Sequence, residues 1–285
     1  MKNCFLIVNC NDYKSTKHLV DNIKNYKCID EILIVDNNSS ISEKDNLKKL
    51  INNNINVLFL EDNLGYSHAI NEGSRYLIEK YQKCNLIISN SDIVIMDEKD
   101  LIKLIDALNM DTIGVVGPQI MELGGFSKGC KLPSPLKDSF LNLVSRKFAS
   151  KSKILLYKEE LYDAEYLSVD VLNTCFFLIS SELLSRINFM DENVFLYYED
   201  YILGKKVKDA GKLLVIVNDV RIKHLYSISV NKIIKEIDKL KLLYKSQFYF
   251  HTTYNDTDCF EKLCLNVTAN ISIILSTIIS IVRKL

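Results

Sequence analysis

Short runs of consecutive apolar residues, each closed by a polar turn, alternate with stretches of helical spacing over the first part of the chain. Phe5-Leu-Ile-Val8 is such a run and predicts a strand buried on both faces. From Thr16 to Tyr26 the apolar positions Leu19, Ile23 and Tyr26 fall on one helical face, with Ser15 or Thr16 as the expected N-cap. Glu31-Ile-Leu-Ile-Val35 reads as a second strand, running into the polar turn Asp36-Asn-Asn-Ser-Ser40. A helix through Leu47, Leu50 and Ile51 follows, then a strand over Asn56–Leu60 and a loop at Asn63-Leu-Gly65. Ser67 to Tyr81 predicts a helix, and Asn85–Ser89 a fourth strand ending at Asn90-Ser91-Asp92. This strand–helix alternation implies an α/β fold: a parallel sheet with helices on both faces. Such sheets bind ligands beyond the carboxyl ends of their strands, where Asp- and Asn-rich turns recur here.

Between Pro118 and Tyr166 the pattern weakens, and Gly124, Gly125, Gly129, Pro133 and Pro135 mark irregular chain. Arg146, Lys147, Lys151 and Lys153 form a basic cluster with Phe140, Leu143, Val144 and Phe148 interleaved. Val169–Ser181 reads as one strand whose last serines cap a helix at Glu182, and Leu213–Val217 is a further strand. Beyond Asn231 the chain reads as helical, so residues 1–230 are expected to form the main domain and 231–285 a helical extension. Within that extension no charge falls between Leu263 and Val282, a length that reaches the threshold for a membrane span. Its Asn, Ser and Thr residues make it polar for a span. Ile271, Ile274, Leu275, Ile278 and Val282 share one face, which favours an amphipathic helix. A packed terminal helix, a membrane-surface or dimer-forming helix, and a true span all stay open.

Composition narrows the classes. Of 285 residues 48% are hydrophobic and 25% charged, which argues for a globular chain. Lys+Arg 36 balance Asp+Glu 36, so no overall electrostatic footprint for nucleic acid exists. The eight cysteines include no C-x-x-C pair, which disfavours a structural zinc site. The apolar run near the N-terminus is too short for a signal peptide. A cytoplasmic protein with free thiols is expected, and sequons such as Asn266-Val-Thr268 are then chance matches.

The motifs of dinucleotide-binding Rossmann proteins, P-loop enzymes, serine-elbow hydrolases and helix-borne zinc proteases are absent. Carboxylates at strand ends remain. Asp36 offers acceptors for a base or ribose, or else closes an Asx-turn. Asp92, beside Asn90 and Ser91, suits a divalent cation on a diphosphate, or again a turn. Glu199-Asp200 follows the aromatic-rich stretch Phe189–Tyr198. Desolvation there would raise a carboxyl pKa toward the range of a general base, while the helix N-terminus and the lysines of that helix pull it down. His224 stands just after a strand expected to end at Val220.

Taken in order, the segments Ile7–Asn11, Ile34–Ser39, Asn63–Gly73, Asn90–Asp92, Met190–Asp200, Lys208–Gly211 and His224 with Ser227 and Ser229 resemble family 2 glycosyltransferases. These are inverting enzymes of the GT-A fold, and the likeness is to their bacterial polysaccharide and rhamnosyl-type branch, over roughly residues 3 to 230. The resemblance implies a UDP- or dTDP-sugar donor, Mn²⁺ or Mg²⁺, and a growing surface polysaccharide or lipid-linked saccharide as acceptor. It assigns Asn9, Asn11 and Asp36 to the base and ribose. Asn63, Gly65 and Asn71 go to the diphosphate side, Ser91 and Asp92 to ribose and metal, and His224 to the metal or diphosphate. Asp200 looks like the general base with Glu199 beside it. Asn90 replaces the first acid of the family's Asp-x-Asp, Asn173 a usual glycine, Ile202 a frequent second acid and Lys206 an arginine. Two other classes stay open: a catalytically weak, membrane-associated partner of another transferase, and a nucleotidyltransferase.

Overall fold

The computed structural model describes residues 1–122, 125–127, 129–144, 155–225 and 236–282. The basic cluster Arg146–Lys153, and Ser227 and Ser229, lie outside the described residues. β1 (Lys2–Asn9) runs between two parallel neighbours, β2 (Glu31–Asp36) and β4 (Cys84–Asn90), with β3 (Ile55–Phe59) beyond β2. The registers set Asn9 opposite Asp36 and Val8 opposite Asn90, so the polar strand ends arrive level. Side chains alternate across β1, as the pleat requires. Phe5 and Ile7 pack with Leu19, Val20 and Ile23 of α1 (Tyr13–Ile23), whereas Cys4, Leu6 and Val8 pack with Ala69, Ile70 and Leu77 of α3 (Tyr66–Tyr81). Both faces are covered, which is why the run carries no polar residue until Asn9.

Several boundaries differ from expectation. Asp12, not Ser15 or Thr16, caps α1: its carboxylate accepts the Ser15 N–H at 3.4 Å. Thr16 is buried within the helix and donates its hydroxyl to Asn9 Oδ1. α2 (Ile41–Lys48) stops before Leu50 and Ile51, which close a turn back toward β3. β5 (Ile93–Val94), α4 (Glu98–Leu108) and β6 (Ile113–Glu122) follow β4. The run Val169–Ser181 is two strands. β8 (Tyr166–Val169) pairs antiparallel with β10 (Leu213–His224), and β9 (Phe176–Ser180) inserts antiparallel between β4 and β6. Between them Val171 bridges to Cys130, and the Asn173 side chain accepts the Cys175 N–H at 2.9 Å, turning the chain. The sheet is therefore mixed, in the order β3-β2-β1-β4-β9-β6-β10-β5, with β7 (Gly125–Ser127) on β6. β10 itself continues past Val220 to His224.

α6 (Ser181–Arg186) is capped by Ser180, whose hydroxyl accepts the Leu183 N–H. α7 (Glu199–Asp209) lies against the turn between β8 and β9, where a Cβ on Gly204 would overlap the Asp170 carbonyl oxygen. α8 (Glu236–Tyr254) packs on α7 through Val194, Tyr198, Ile202 and Phe250, and α9 (Cys259–Val282) packs on α8 and on α5 (Pro135–Leu143). Each of the eight cysteines carries a free thiol.

Candidate active site

The carboxyl ends of β1 and β2 are tied by a buried network. Asn9 Nδ2 donates to Asp36 Oδ1 at 2.8 Å and to Ser39 Oγ at 3.2 Å; Asp36 also accepts the Ser39 hydroxyl and, on Oδ2, the Ser39 N–H. Asn9 and Asp36 are fully buried and spend their polar groups on one another, on Ser39 and on Thr16. They set the shape of the floor, while Asn11 and Asn63 stand exposed at its edge. Asn11 adopts φ 52°, and its Oδ1 accepts the Ser40 N–H. Asn63 Oδ1 accepts from Asn37 Nδ2 at 3.0 Å and from the Gly65 N–H at 3.2 Å. Gly65 has φ 108°, and a Cβ there would stand 2.7 Å from the Phe195 carbonyl oxygen. Its close approach is thus to the loop that precedes α7. Asn71 serves the same loop: it accepts the Met190 N–H and donates to the Met190 carbonyl and to Glu192 Oε1.

β4 ends at Asn90, and Ser91-Asp92 leads directly into β5. The two residues of β5 pair with Lys223 and His224 at the end of β10. The pairing brings His224 Nε2 to 3.2 Å from Asp92 Oδ1, and His224 Nδ1 to 4.0 Å from Glu122 Oε1 at the end of β6. Ser91 Oγ donates to Asp12 Oδ2 at 3.4 Å. Burial on its own lowers the pKa of His224, but hydrogen bonds and charge from Asp92 and Glu122 outweigh it and raise it to about 9. Among the described residues no group of three or more His, Cys, Asp or Glu side chains is arranged to hold a metal. Asp92 and His224 supply one carboxylate oxygen and one imidazole nitrogen. That donor set fits a Mn²⁺ or Mg²⁺ ion that completes its shell with water and substrate phosphate. Imidazole must release its proton to bind, so the cation would take the place of the His224 charge.

Glu199 and Asp200 open α7 and line a cavity of about 500 Å³. Ser127, Asn173, Thr174 and Tyr197 share its wall, and Leu141 and Leu243 reach it from α5 and α8. Glu199 Oε2 is buried with no hydrogen-bond partner among the described residues. Desolvation raises the Glu199 pKa strongly, and the Asp200 charge beside it raises it further. Desolvation also raises Asp200, but the N–H groups of Tyr201 and of Asp200 itself hold its charged form and limit the rise. At neutral pH the pair therefore divides: Asp200 is ionised and Glu199 is neutral. The lysines of α7 play no part in this. Lys205 pairs with Asp209, Lys208 with Asp170, and Lys206 donates to the Phe189 carbonyl.

A short bridge of side chains connects the Asp92 end with the carboxylate end. Glu122, next to His224, accepts from Asn173 Nδ2 at 3.2 Å, and Asn173 lines the cavity of Glu199 and Asp200. Tyr66, at the start of α3, feels the charges of both Glu199 and Asp92, and its hydroxyl donates to the Thr174 carbonyl. Glu122 and Tyr66 carry no signal in the sequence. Their placement follows from the antiparallel insertion of β9 beside β6.

The profile of glycosyl transferase family 2 matches residues 4–187. No curated protein sequence matches the chain significantly. Among solved structures, a mannosyltransferase from Pyrobaculum calidifontis in complex with GDP-Man and Mn²⁺ is similar, with TM-score 0.58 and 14% identity, over 95% of this chain and 73% of that one. GalNAc-T7 with UDP, GalNAc and Mn²⁺ aligns with TM-score 0.59 and 16% identity over 95% of this chain, which spans only 54% of that protein. Residues 1–349 of S. aureus TarS align with TM-score 0.54 and 16% identity, over 92% of this chain and 68% of that chain. These likenesses are to the fold.

The neutral state of Glu199 has a thermodynamic signature. A carboxyl whose pKa is higher folded than unfolded contributes stability that is lost as pH rises between the two values. Glu199→Gln is neutral at every pH. Its denaturation midpoint should match wild type near pH 4.5, gain on it up to about pH 8, and hold that lead above. A difference that stays flat across that range would contradict the assignment.

Proposed function

The chain belongs to glycosyl transferase family 2 and is a glycosyltransferase with a mixed-sheet GT-A fold, and on that premise we propose that it performs a single-displacement, inverting transfer from a UDP- or dTDP-sugar to a saccharide hydroxyl. The observation that carries this reading is an acid pair in a cavity joined by a short side-chain bridge to a carboxylate–imidazole pair outside it. Glu199 and Asp200 line the cavity with Asn173, Asn173 donates to Glu122, and Glu122 stands beside His224, which meets Asp92.

In this reading Asp200 takes the proton of the acceptor hydroxyl as its oxygen attacks the anomeric carbon. The bond from that carbon to the diphosphate breaks, and the electron pair leaves with the nucleoside diphosphate. A bound Mn²⁺ or Mg²⁺ would neutralise that charge. Asp92 and His224 would hold the diphosphate end, with Ser91 beside the ribose. Asn11 and Asn63 would border the nucleotide on a floor fixed by Asn9 and Asp36. Gly65 and Asn71 act at one remove, by seating the Met190–Phe195 loop. Neutral Glu199 keeps a second charge out of the acceptor side. Tyr197, Leu141 and Leu243 give that side an apolar wall suited to a sugar face or a lipid-linked saccharide.

The helices α8 and α9 support work at a membrane surface. Much of the apolar surface of α9 faces outward, although Leu265 is buried. Thr268 and Ser272 face Asn142 of α5 and Tyr244 of α8, while Phe260, Leu263, Ile274 and Ile278 point away and are half or more exposed. An 18-residue window within Cys259–Ile281 has mean hydropathy 1.8 with 11% of it buried, and α5 adds exposed Leu136, Phe140 and Leu143 beside it. The basic cluster Arg146–Lys153 follows α5 in the sequence and favours an anionic surface. The inner face of the plasma membrane, with a polysaccharide or lipid-linked acceptor, is the setting that suits both signals.

Two measurements test this. Asp200→Asn keeps the shape and removes the proton acceptor, so transfer should fall about 10²–10⁴-fold. In the wild type, turnover should rise with pH through about 6, as Asp200 ionises. Transfer by Asp200→Asn at the wild-type rate would show that the base lies elsewhere. For the membrane, the full chain should co-float with anionic vesicles at low salt, and Ile274→Glu with Ile278→Glu should weaken this while the fold persists. No co-flotation of the wild type would remove the membrane reading, and concentration-dependent dimerisation in its place would assign the apolar face to a second copy.

A further inference from the structure

Tyr197 and Tyr198, the two residues ahead of Glu199, have φ 69° and φ 67°. Bulky residues rarely take the left-handed region, and two in succession persist only where the surroundings over-determine them. Tyr198 is also the N-cap of α7, and its side chain makes no capping bond. The local sequence therefore does not favour the turn that aims the two carboxylates into the cavity.

The holding contacts come from elsewhere in the chain. The Tyr198 hydroxyl donates to Asp138 Oδ2 on α5 at 2.6 Å and accepts from Gln247 Nε2 on α8 at 2.9 Å. His251 on α8 is fully buried, with Nε2 2.8 Å from the same Asp138 oxygen. Its Nδ1 lies 3.0 Å from the Asn255 amide nitrogen; that amide donates, so Nε2–H donates to Asp138. Gln247 and Asn142 exchange bonds in both directions, and Asn142 reaches on to Thr268 of α9. The ring of Tyr198 stacks on Tyr201 at 4.7 Å and packs on Phe250 at 5.6 Å. Ser246 ties down the Leu196 carbonyl just upstream. A buried polar cluster specifies one geometry only when its members are satisfied, and these are. Asp138, Gln247 and His251 sit on α5 and α8, which otherwise reach the cavity of the acid pair only through the apolar Leu141 and Leu243.

We propose that Asp138, Gln247 and His251 are positioning residues, which grip the phenol of Tyr198 and thereby hold Glu199 and Asp200 in their working orientation. The inference deepens the reading of Asp200 as base and rests on it. It makes α5 and the C-terminal helix α8 part of the transfer machinery, although neither touches the reacting atoms.

The test uses the full chain. Tyr198→Phe keeps the ring stack and removes the oxygen that the cluster holds. Transfer turnover should fall by up to about 100-fold, the cost of a small misplacement of a reacting group, with donor KM unchanged. His251→Leu should behave alike, His251→Gln should restore much of the loss by returning a donor to Asp138, and Tyr198→Phe with His251→Leu should be no worse than either alone. Hydrogen exchange supplies a readout that needs no turnover. Amides of residues 197–201 should exchange faster in Tyr198→Phe, while those of β1 and β4 stay protected. Unchanged exchange at 197–201, or unchanged turnover with faster exchange, would overturn the proposal. If the wild type neither binds a nucleoside diphosphate nor transfers, the functional reading fails by itself, and the exchange measurement still decides whether the anchor exists.

Discussion

Two adjacent carboxyl groups, half-buried at the head of one helix and desolvated there, cannot both be charged without severe cost, and the candidate site is organised around that constraint. Glu199 has an oxygen with no partner among the described residues and favours its protonated form; Asp200 has the N–H groups at the head of the helix and favours its charged form. The same sequence that buries the pair also places two tyrosines in the left-handed region, at about 1–3 kcal/mol each. That strain is offset by packing around Val194, Tyr198, Ile202 and Phe250. α5 and α8 thus meet the head of α7 at a strained stretch of backbone.

The opposite end follows another logic. Asp92 and His224 meet because a two-residue strand, β5, pairs with the last residues of β10. Asp92 and Glu122 favour the charged form of the His224 imidazole. Glu122 in turn holds Asn173, so the Asp92–His224 pair and the Glu199–Asp200 pair share one strip of side chains.

Strands β1 to β4 were legible because burial on both faces leaves no room for polar residues, and the polar ends of β1, β2 and β4 were legible as breaks in those runs; β6 was not read, although Ile113–Glu122 is a central strand. Asp92, Asp200 and His224 stood out through motif order. What a linear pattern cannot carry is lateral order. The reversal of β9 between β4 and β6 brings Asn173 and Glu122 together, and neither residue has a neighbour in sequence that hints at it. Asn9 and Asp36 read as strand-end polar groups, but their mutual saturation depends on Ser39 and Thr16, set by turn and helix geometry. The stripe on α9 was periodic in the sequence, yet periodicity does not say which face packs; Leu265, Thr268 and Ser272 face inward, while Ile271, Ile274, Leu275 and Ile278 are exposed. Asp138 and His251 looked like ordinary residues in weakly patterned segments.

Calorimetry of UDP and dTDP binding in Mn²⁺ measures directly whether the proposed diphosphate and base ends act separately. Asp92→Asn removes the proposed carboxylate ligand and leaves Asp200 in place. The Mn²⁺-dependent part of the nucleoside diphosphate affinity should be lost in Asp92→Asn and kept in Asp200→Asn. Equal affinity of wild type and Asp92→Asn in Mn²⁺ would contradict it.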